Sequence, residues 1–247
     1  MSTIDEHEVD LPTPTGPMRT VVFAPTGGAH PGIVFASEIF QITAPIRRSA
    51  AFLAGHGFVV AVPEVYHDLE PRGSVLAYDT AGAARGNADK LARPIAAFDA
   101  DVRAVLDHLA GSPACTGRLG AIGICLGGHI AFRAALHRDV LATACCYATD
   151  IHKGSLGSGG DDTMARMGDV RGEMLMIWGR QDPHIPDAGR RLIHDRMTEA
   201  GITFTWHEWN GAHAFLRDES SGGRYDPALS RLCWELMLEM FGRRLKQ

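Results

Sequence analysis

One of the five cysteines stands in a setting that could make it a nucleophile. Cys125 falls within Gly120-Ala-Ile-Gly123-Ile-Cys125-Leu-Gly127-Gly128-His. This apolar run passes through Gly-x-Cys-x-Gly into the helical pattern Ile130 to Leu136, which is nucleophile-elbow spacing with cysteine in the usual serine position. A side chain held on a tight strand-to-helix turn brings the backbone two residues before and after it into close contact. Those positions must be small, and Gly123 and Gly127 satisfy that. A helix beginning directly after Cys125 aims unpaired N–H groups and a positive dipole end at the sulfur, which favours thiolate and offers the Leu126 amide as an oxyanion donor. Such a nucleophile needs an acid and then a histidine at later strand ends. Asp182, in Gly179-Arg-Gln-Asp182-Pro183-His-Ile-Pro186, and His213, in Asn210-Gly211-Ala212-His213-Ala214-Phe215, follow in that order. Alone, Asp182 reads as well as a helix cap or Asx turn before Pro186, and His213 is one of twelve histidines. Together behind the elbow they spell a Cys-His-Asp triad.

Rival chemistries fail on spacing. His207-Glu208 begins like the zinc motif HExxH, but position 211 is glycine and the segment has the pattern of a strand and turn. The glycines around Cys125 do not form GxGxxG, and GxxxxGK[ST] is missing, so no nucleotide cofactor is expected. Cys115, Cys145, Cys146 and Cys233 show no CxxC pairing and read as structural, so no metal is expected either.

The elements that must position the triad alternate between short apolar runs and longer amphipathic ones. That is the pattern of an α/β fold, a mostly parallel sheet of about seven to eight strands covered by helices on both faces. The strand candidates are 20–24, 32–37, 58–63, 119–124, 141–148, 174–178 and 203–209. Ile95, Phe98, Val102, Val105, Leu106 and Leu109 recur at helical steps behind Pro94, and Pro186 opens a helix that Gly201 closes. A final helix carries Leu229, Leu232, Cys233, Leu236, Met240 and Phe241 as one apolar stripe, with Arg243, Arg244 and Lys246 at its end. Residues 1–17 read as a polar N-terminal extension. The glycine-rich stretch 149–171 reads as a mobile lid or surface loop, and a second long connection runs from Val65 to Arg85.

The 247 residues are 45% hydrophobic and 21% charged with a net charge of −5, as expected of one domain spanning 1–247. Acidic excess disfavours nucleic-acid partners. Asp5, Glu6, Glu8 and Asp10 stand where a signal peptide would be basic, and no apolar run approaches membrane-spanning length. With an odd count of unpaired cysteines, these features lead us to expect a soluble protein of the cytoplasm.

These motifs resemble the dienelactone hydrolases, cysteine members of the α/β-hydrolase fold, over nearly the whole chain from Pro31 to about Phe241. Ala36-Ser37-Glu38-Ile39-Phe40 is similar to the family's Glu-Ile-Phe segment. The Phe58-to-Glu64 strand, the Gly-x-x-Asp-Pro turn at 179–183 and the His-x-Phe-x-Arg string from His213 to Arg217 also match. The resemblance implies the triad of Cys125, His213 and Asp182, with the Ile39 and Leu126 amides as the oxyanion hole. It further implies that Glu38 is the thiol's resting partner and moves when substrate binds. Arg217 matches one of two arginines that bind a substrate carboxylate in the archetypal enzyme. The other falls near Ala88, where Arg85 or Arg93 is the nearest substitute, and the tyrosine that accompanies it has no clear counterpart. That departure points to small-molecule esters or lactones other than dienelactone itself. The rival expectation is a non-catalytic, small-molecule-binding protein on the same fold with Cys125 as a redox-sensitive thiol. Oligomeric state is not legible.

Overall fold

A computed structural model describes residues 3–247 of the chain. Eight strands form one sheet in the order β1-β2-β4-β3-β5-β6-β7-β8. They are β1 (Ile4–Thr13), β2 (Gly16–Pro25), β3 (His30–Ala36), β4 (Val59–Pro63), β5 (Cys115–Ile124), β6 (Val140–Cys146), β7 (Glu173–Gly179) and β8 (Phe204–Trp209). β1 and β2 pair antiparallel, as do β2 and β4, and the remaining pairs are parallel. The central strands are buried along their whole length, Val59 to Pro63 and Met174 to Gly179 among them, which is why they read as continuous apolar runs.

Helices cover both faces. They are α1 (Ala44–Gly55), α2 (Thr80–Ala92), α3 (Ile95–Gly111), α4 (Leu126–Ala134), α5 (Asp187–Glu199) and α6 (Pro227–Leu245). Two glycines show how closely they sit. A Cβ on Gly32 would meet Leu109 of α3, whereas one on Gly120 would meet Leu245 and Phe241 of α6. Gly32 pairs with Leu119, the neighbour of Gly120, so these helices occupy opposite faces.

Three expectations change in detail. The polar N-terminal extension carries part of the sheet, because 4–13 form the edge strand β1. Its Glu8 pairs with Arg19 and Arg72, and its Glu6 with Arg47. Charge on an edge strand blocks further strand addition, and it also hides the strand from a search for apolar runs. The stripe on α6 is rotated: Cys233, Met237, Met240 and Phe241 are buried, while Leu232 is exposed.

Segment 149–171, finally, is pinned rather than free. Asp161 accepts the amides of Leu156 (2.8 Å) and Thr163 (2.9 Å) and faces the buried His129 of α4. Arg133 of α4 bonds Asp162 at 2.8 Å, and Ser158 donates to the Arg93 carbonyl at 2.7 Å. Ile151, Leu156 and Met167 are buried. The glycines of this stretch make turns, Gly154 and Gly157 with positive φ, in a packed wall.

Candidate active site

The elbow is built as its spacing requires. Cys125 lies between β5 and α4 with φ 60° and ψ −121°, a conformation that costs an L-residue energy and survives only where the surroundings impose it. A Cβ on Gly123 would strike the Gly127 carbonyl, and one on Gly127 would strike the backbone of Ala36 and Ser37. The second contact brings the end of β3 against the start of α4. Ile39, three residues past Ala36, is therefore carried to the elbow, and its amide and that of Leu126 donate to no acceptor among the described residues. Gly128 donates to the Cys125 carbonyl at 3.0 Å, and Cys125 itself donates to Cys146 at 3.1 Å.

The acid and the histidine sit on adjoining turns beyond β7 and β8. A Cβ on Gly179 would meet the Gly211 and Ala212 carbonyls, so the two turns lie in direct contact. Arg180 donates to the Trp209 carbonyl (2.7 Å) and Gln181 to that of Gly211 (3.0 Å), which locks one turn to the other. Asp182 Oδ2 is 2.6 Å from His213 Nδ1, and Oδ1 accepts the His184 amide at 2.8 Å. Asp182 is thus both the Asx-turn residue and the partner of the imidazole. Burial works against charge on His213, but the neighbouring Cys125 and the bonded Asp182 outweigh it and push its pKa up to about 10. Asp182, His184 and His213 each offer a ligand atom within 4.8 Å of the others. Asp182 and His213 already spend those atoms on one another, so the donor set suits a triad better than a metal.

Cys125 and His213 open onto a cavity of about 530 Å³ lined also by Glu38, Ile39, Tyr78, Lys90, Asp150, Lys153, His184, Arg217 and Arg224, among others. A more open cleft of about 600 Å³ lies at the other ends of the strands, by His30 and Lys246, away from these groups.

The model of the dienelactone hydrolase family matches residues 18–245. The chain belongs to that family. A Saccharomyces cerevisiae protein provisionally named a carboxymethylenebutenolidase is 38% identical over 93% of this chain and 88% of its own. A Pseudomonas putida carboxymethylenebutenolidase is 29% identical over 82% of each. Among solved structures, one provisionally titled a dienelactone hydrolase from Klebsiella pneumoniae superposes with a TM-score of 0.85 at 23% identity, covering 98% of this chain and all of that one. The fold is that of the α/β-hydrolases.

In this dienelactone hydrolase family member, seven of the eight site residues named from the sequence meet at the cavity or beside it. Arg85 does not. It is exposed on α2, bonded to Glu70 at 2.5 Å and facing Asp89 at 3.5 Å. The helix turns it away from the site, and Lys90 reaches the cavity instead, 2.8 Å from Asp150. Arg93 is buried against Asp68 and Asp101 and is equally unavailable. Arg217 does line the cavity, but its Nη1 bonds Glu38 at 3.2 Å and its guanidinium lies 4.0 Å over the Tyr78 ring.

Tyr78 is the residue that sequence reasoning missed. It arrives on the long 65–85 connection and donates its hydroxyl to Glu38. Its only sequence signal was membership of a connection too long to be routine. Glu38 therefore faces Tyr78 and Arg217 here, while Cys125 and His213 line the same cavity. No helix of the described residues is long and apolar enough to cross a membrane.

Proposed function

We propose that the protein hydrolyses carboxylic esters or lactones of small molecules through a Cys-His-Asp triad. The observation that carries this reading is the 2.6 Å Asp182–His213 pair set against a strained cysteine elbow in one cavity. His213 takes the thiol proton at Nε2 while Asp182 holds Nδ1, which fixes the imidazole's orientation. The Cys125 sulfur attacks the carbonyl carbon, and the Ile39 and Leu126 amides receive the negative charge that develops on oxygen. Collapse expels the alcohol, or opens the lactone ring, with a proton from His213. Water activated by the same imidazole then cleaves the thioester and restores the thiol. The names of the relatives, carboxymethylenebutenolidases, favour a lactone or ester over other acyl donors.

Five buried, unpaired cysteines suit the reducing cytoplasm. The triad reading is tested by incubating the protein with an aryl acetate and looking by mass spectrometry for an acetyl adduct on the peptide that carries Cys125. Turnover that persists in Cys125→Ala would sink it.

A further inference from the structure

Thr80, Ala83, Asn87 and Lys90 of α2 line the cavity at steps of three and four residues, so one face of that helix forms a wall. The same helix touches the proposed oxyanion donor, since a Cβ on Gly86 would strike the Ile39 carbonyl. Lys90 stands one helical turn beyond Gly86, and its ammonium reaches Asp150 Oδ2 at 2.8 Å. Asp150 belongs to the segment after β6, and Thr149 beside it donates its amide to the Cys125 carbonyl at 3.2 Å. The pair therefore joins the Ile39 side of the site to the elbow.

Two features set it apart from an ordinary structural ion pair. Asp150 has φ 67° and ψ −10°, a left-handed conformation that costs an L-residue energy and that clusters at functional sites. Its carbonyl accepts the Lys153 amide at 3.0 Å, which holds that conformation. Stability does not account for the pair, because a buried ion pair can often be exchanged for apolar side chains of similar size without loss.

Hydrogen-bonding capacity is also left over. Lys90 carries three N–H donors and spends one, on Asp150, among the described residues. The carboxylate takes Lys90 on Oδ2 and Ser155 on Oδ1 at 3.4 Å, and each oxygen has a second lone pair. A donor and an acceptor thus stand side by side on the cavity wall.

We propose that the Lys90–Asp150 pair is a specificity site that takes a hydroxyl group on the acyl part of an uncharged ester or lactone. The proposal rests on the hydrolase reading above and deepens it. A hydroxyl accepts from Lys90 and donates to Asp150, so it bridges the pair without breaking it. A carboxylate is repelled by Asp150 and an ammonium by Lys90. A plain alkyl chain covers both charges without replacing the water they lose. The acyl part is the portion left to this wall, because the alcohol departs towards the His213 proton.

The test compares kcat/KM for para-nitrophenyl butyrate with those for its α-hydroxy and β-hydroxy derivatives and for para-nitrophenyl hydrogen succinate. All share one leaving group, and each value is divided by the rate of the same ester with hydroxide, which removes intrinsic reactivity. Wild-type protein should favour the better hydroxy ester over butyrate by about tenfold or more, the worth of a hydrogen bond to a charged group. The succinate should fall below that hydroxy ester. Lys90→Met/Asp150→Asn removes both charges at similar volume and keeps at 150 a residue that tolerates the left-handed conformation. In this variant the preference for the hydroxyl should disappear.

A wild-type protein that treats butyrate and both hydroxy esters alike overturns the inference and leaves the triad standing. So does a succinate turned over faster than either hydroxy ester, or a preference that survives in the double variant. Butyrate turnover that persists in Cys125→Ala overturns the triad reading itself. Should the double variant fail to fold, Asp150→Asn alone decides, and an unchanged preference there counts against the inference.

Discussion

Gly86 of α2 lies so close to Ile39 that a Cβ on it would collide with the Ile39 carbonyl. Tyr66 holds the same turn by donating to the Gly86 carbonyl at 2.8 Å. The helix is thereby pressed against the residue whose N–H is proposed to receive the oxyanion. Gly86→Ala should raise intrinsic helix propensity by up to about 1 kcal/mol, yet it pushes Ile39 away from the elbow. We expect kcat/KM for an aryl acetate to fall by about 10²-fold, the usual cost of a misplaced oxyanion donor, while Tm changes little. Steady-state kinetics beside a thermal melt checks this. An alanine variant with full activity would mean that the Ile39 amide takes no part.

The pH dependence turns on His213. Its pKa of about 10 lies above the value of about 6.5 for an unfolded histidine. The stabilisation from the protonated ring is therefore complete below about pH 6.5 and is lost as pH rises towards 10. Asp182→Asn removes the carboxylate that helps to raise this pKa. The alkaline limb of the kcat/KM profile should then move down by about one unit or more, and kcat should fall by about 10³-fold or more as the imidazole loses its orientation. A pH–rate series on both proteins measures the two effects, and a limb that does not move would remove Asp182 from the account.

The placement of the three residues of the proposed triad was legible in the sequence because each is announced by its immediate neighbours: small residues around Cys125, a proline turn after Asp182, a glycine turn before His213. The parallel core strands were legible for the same local reason, since burial on both faces makes them continuously apolar. What escaped was set by distant packing. Tyr78 and Lys153 come from long connections, and whether a loop side chain ends at the cavity depends on contacts such as Asp161 with His129, which no spacing records. Arg85 was misplaced because counting along a helix gives a position but not the face it presents. β1 escaped because its charges, paired with Arg19, Arg47 and Arg72, mask an edge strand as a polar tail.

The wall that carries Asp150 and Lys153 is held through Asp161. This carboxylate is fully buried with His129 and accepts two amides of the segment. Although burial opposes its charge, His129 and the amides hold its pKa below the ordinary carboxylate value. Its contribution to stability is therefore present above about pH 3.9 and is lost as pH falls through that point and below. Asp161→Ala strands both amides and His129, so we expect a loss of about 3 kcal/mol by urea unfolding. That corresponds to a Tm lower by roughly 6–12 °C for a chain of this size. In the folded fraction, KM should rise more than kcat falls, because the cavity wall loosens while the triad turns remain locked to each other. A variant as stable as wild type would show the segment to be held by its apolar contacts alone.

Substrate preference follows from which cations at the cavity are already engaged. Lys90 is bonded to Asp150 and Arg217 to Glu38, each pair withdrawn from solvent. To use either of these cations, a carboxylate on the substrate would have to displace its anion, giving up a formed ion pair for a new one of similar strength. It therefore adds little net affinity at the clamp. Lys153 lines the cavity with no acidic partner among the described residues. We expect neutral aryl or short-chain esters to be hydrolysed with kcat/KM at least equal to that of carboxylated lactones. Lys153→Ala should reduce turnover of carboxylated substrates by less than about tenfold, since a single exposed cation contributes about 1 kcal/mol or less. Parallel kinetics on an aryl acetate and on dienelactone decides the point. A strong preference for dienelactone that disappears in Arg217→Gln would show that substrate does displace Glu38 and that the arginine is a working clamp.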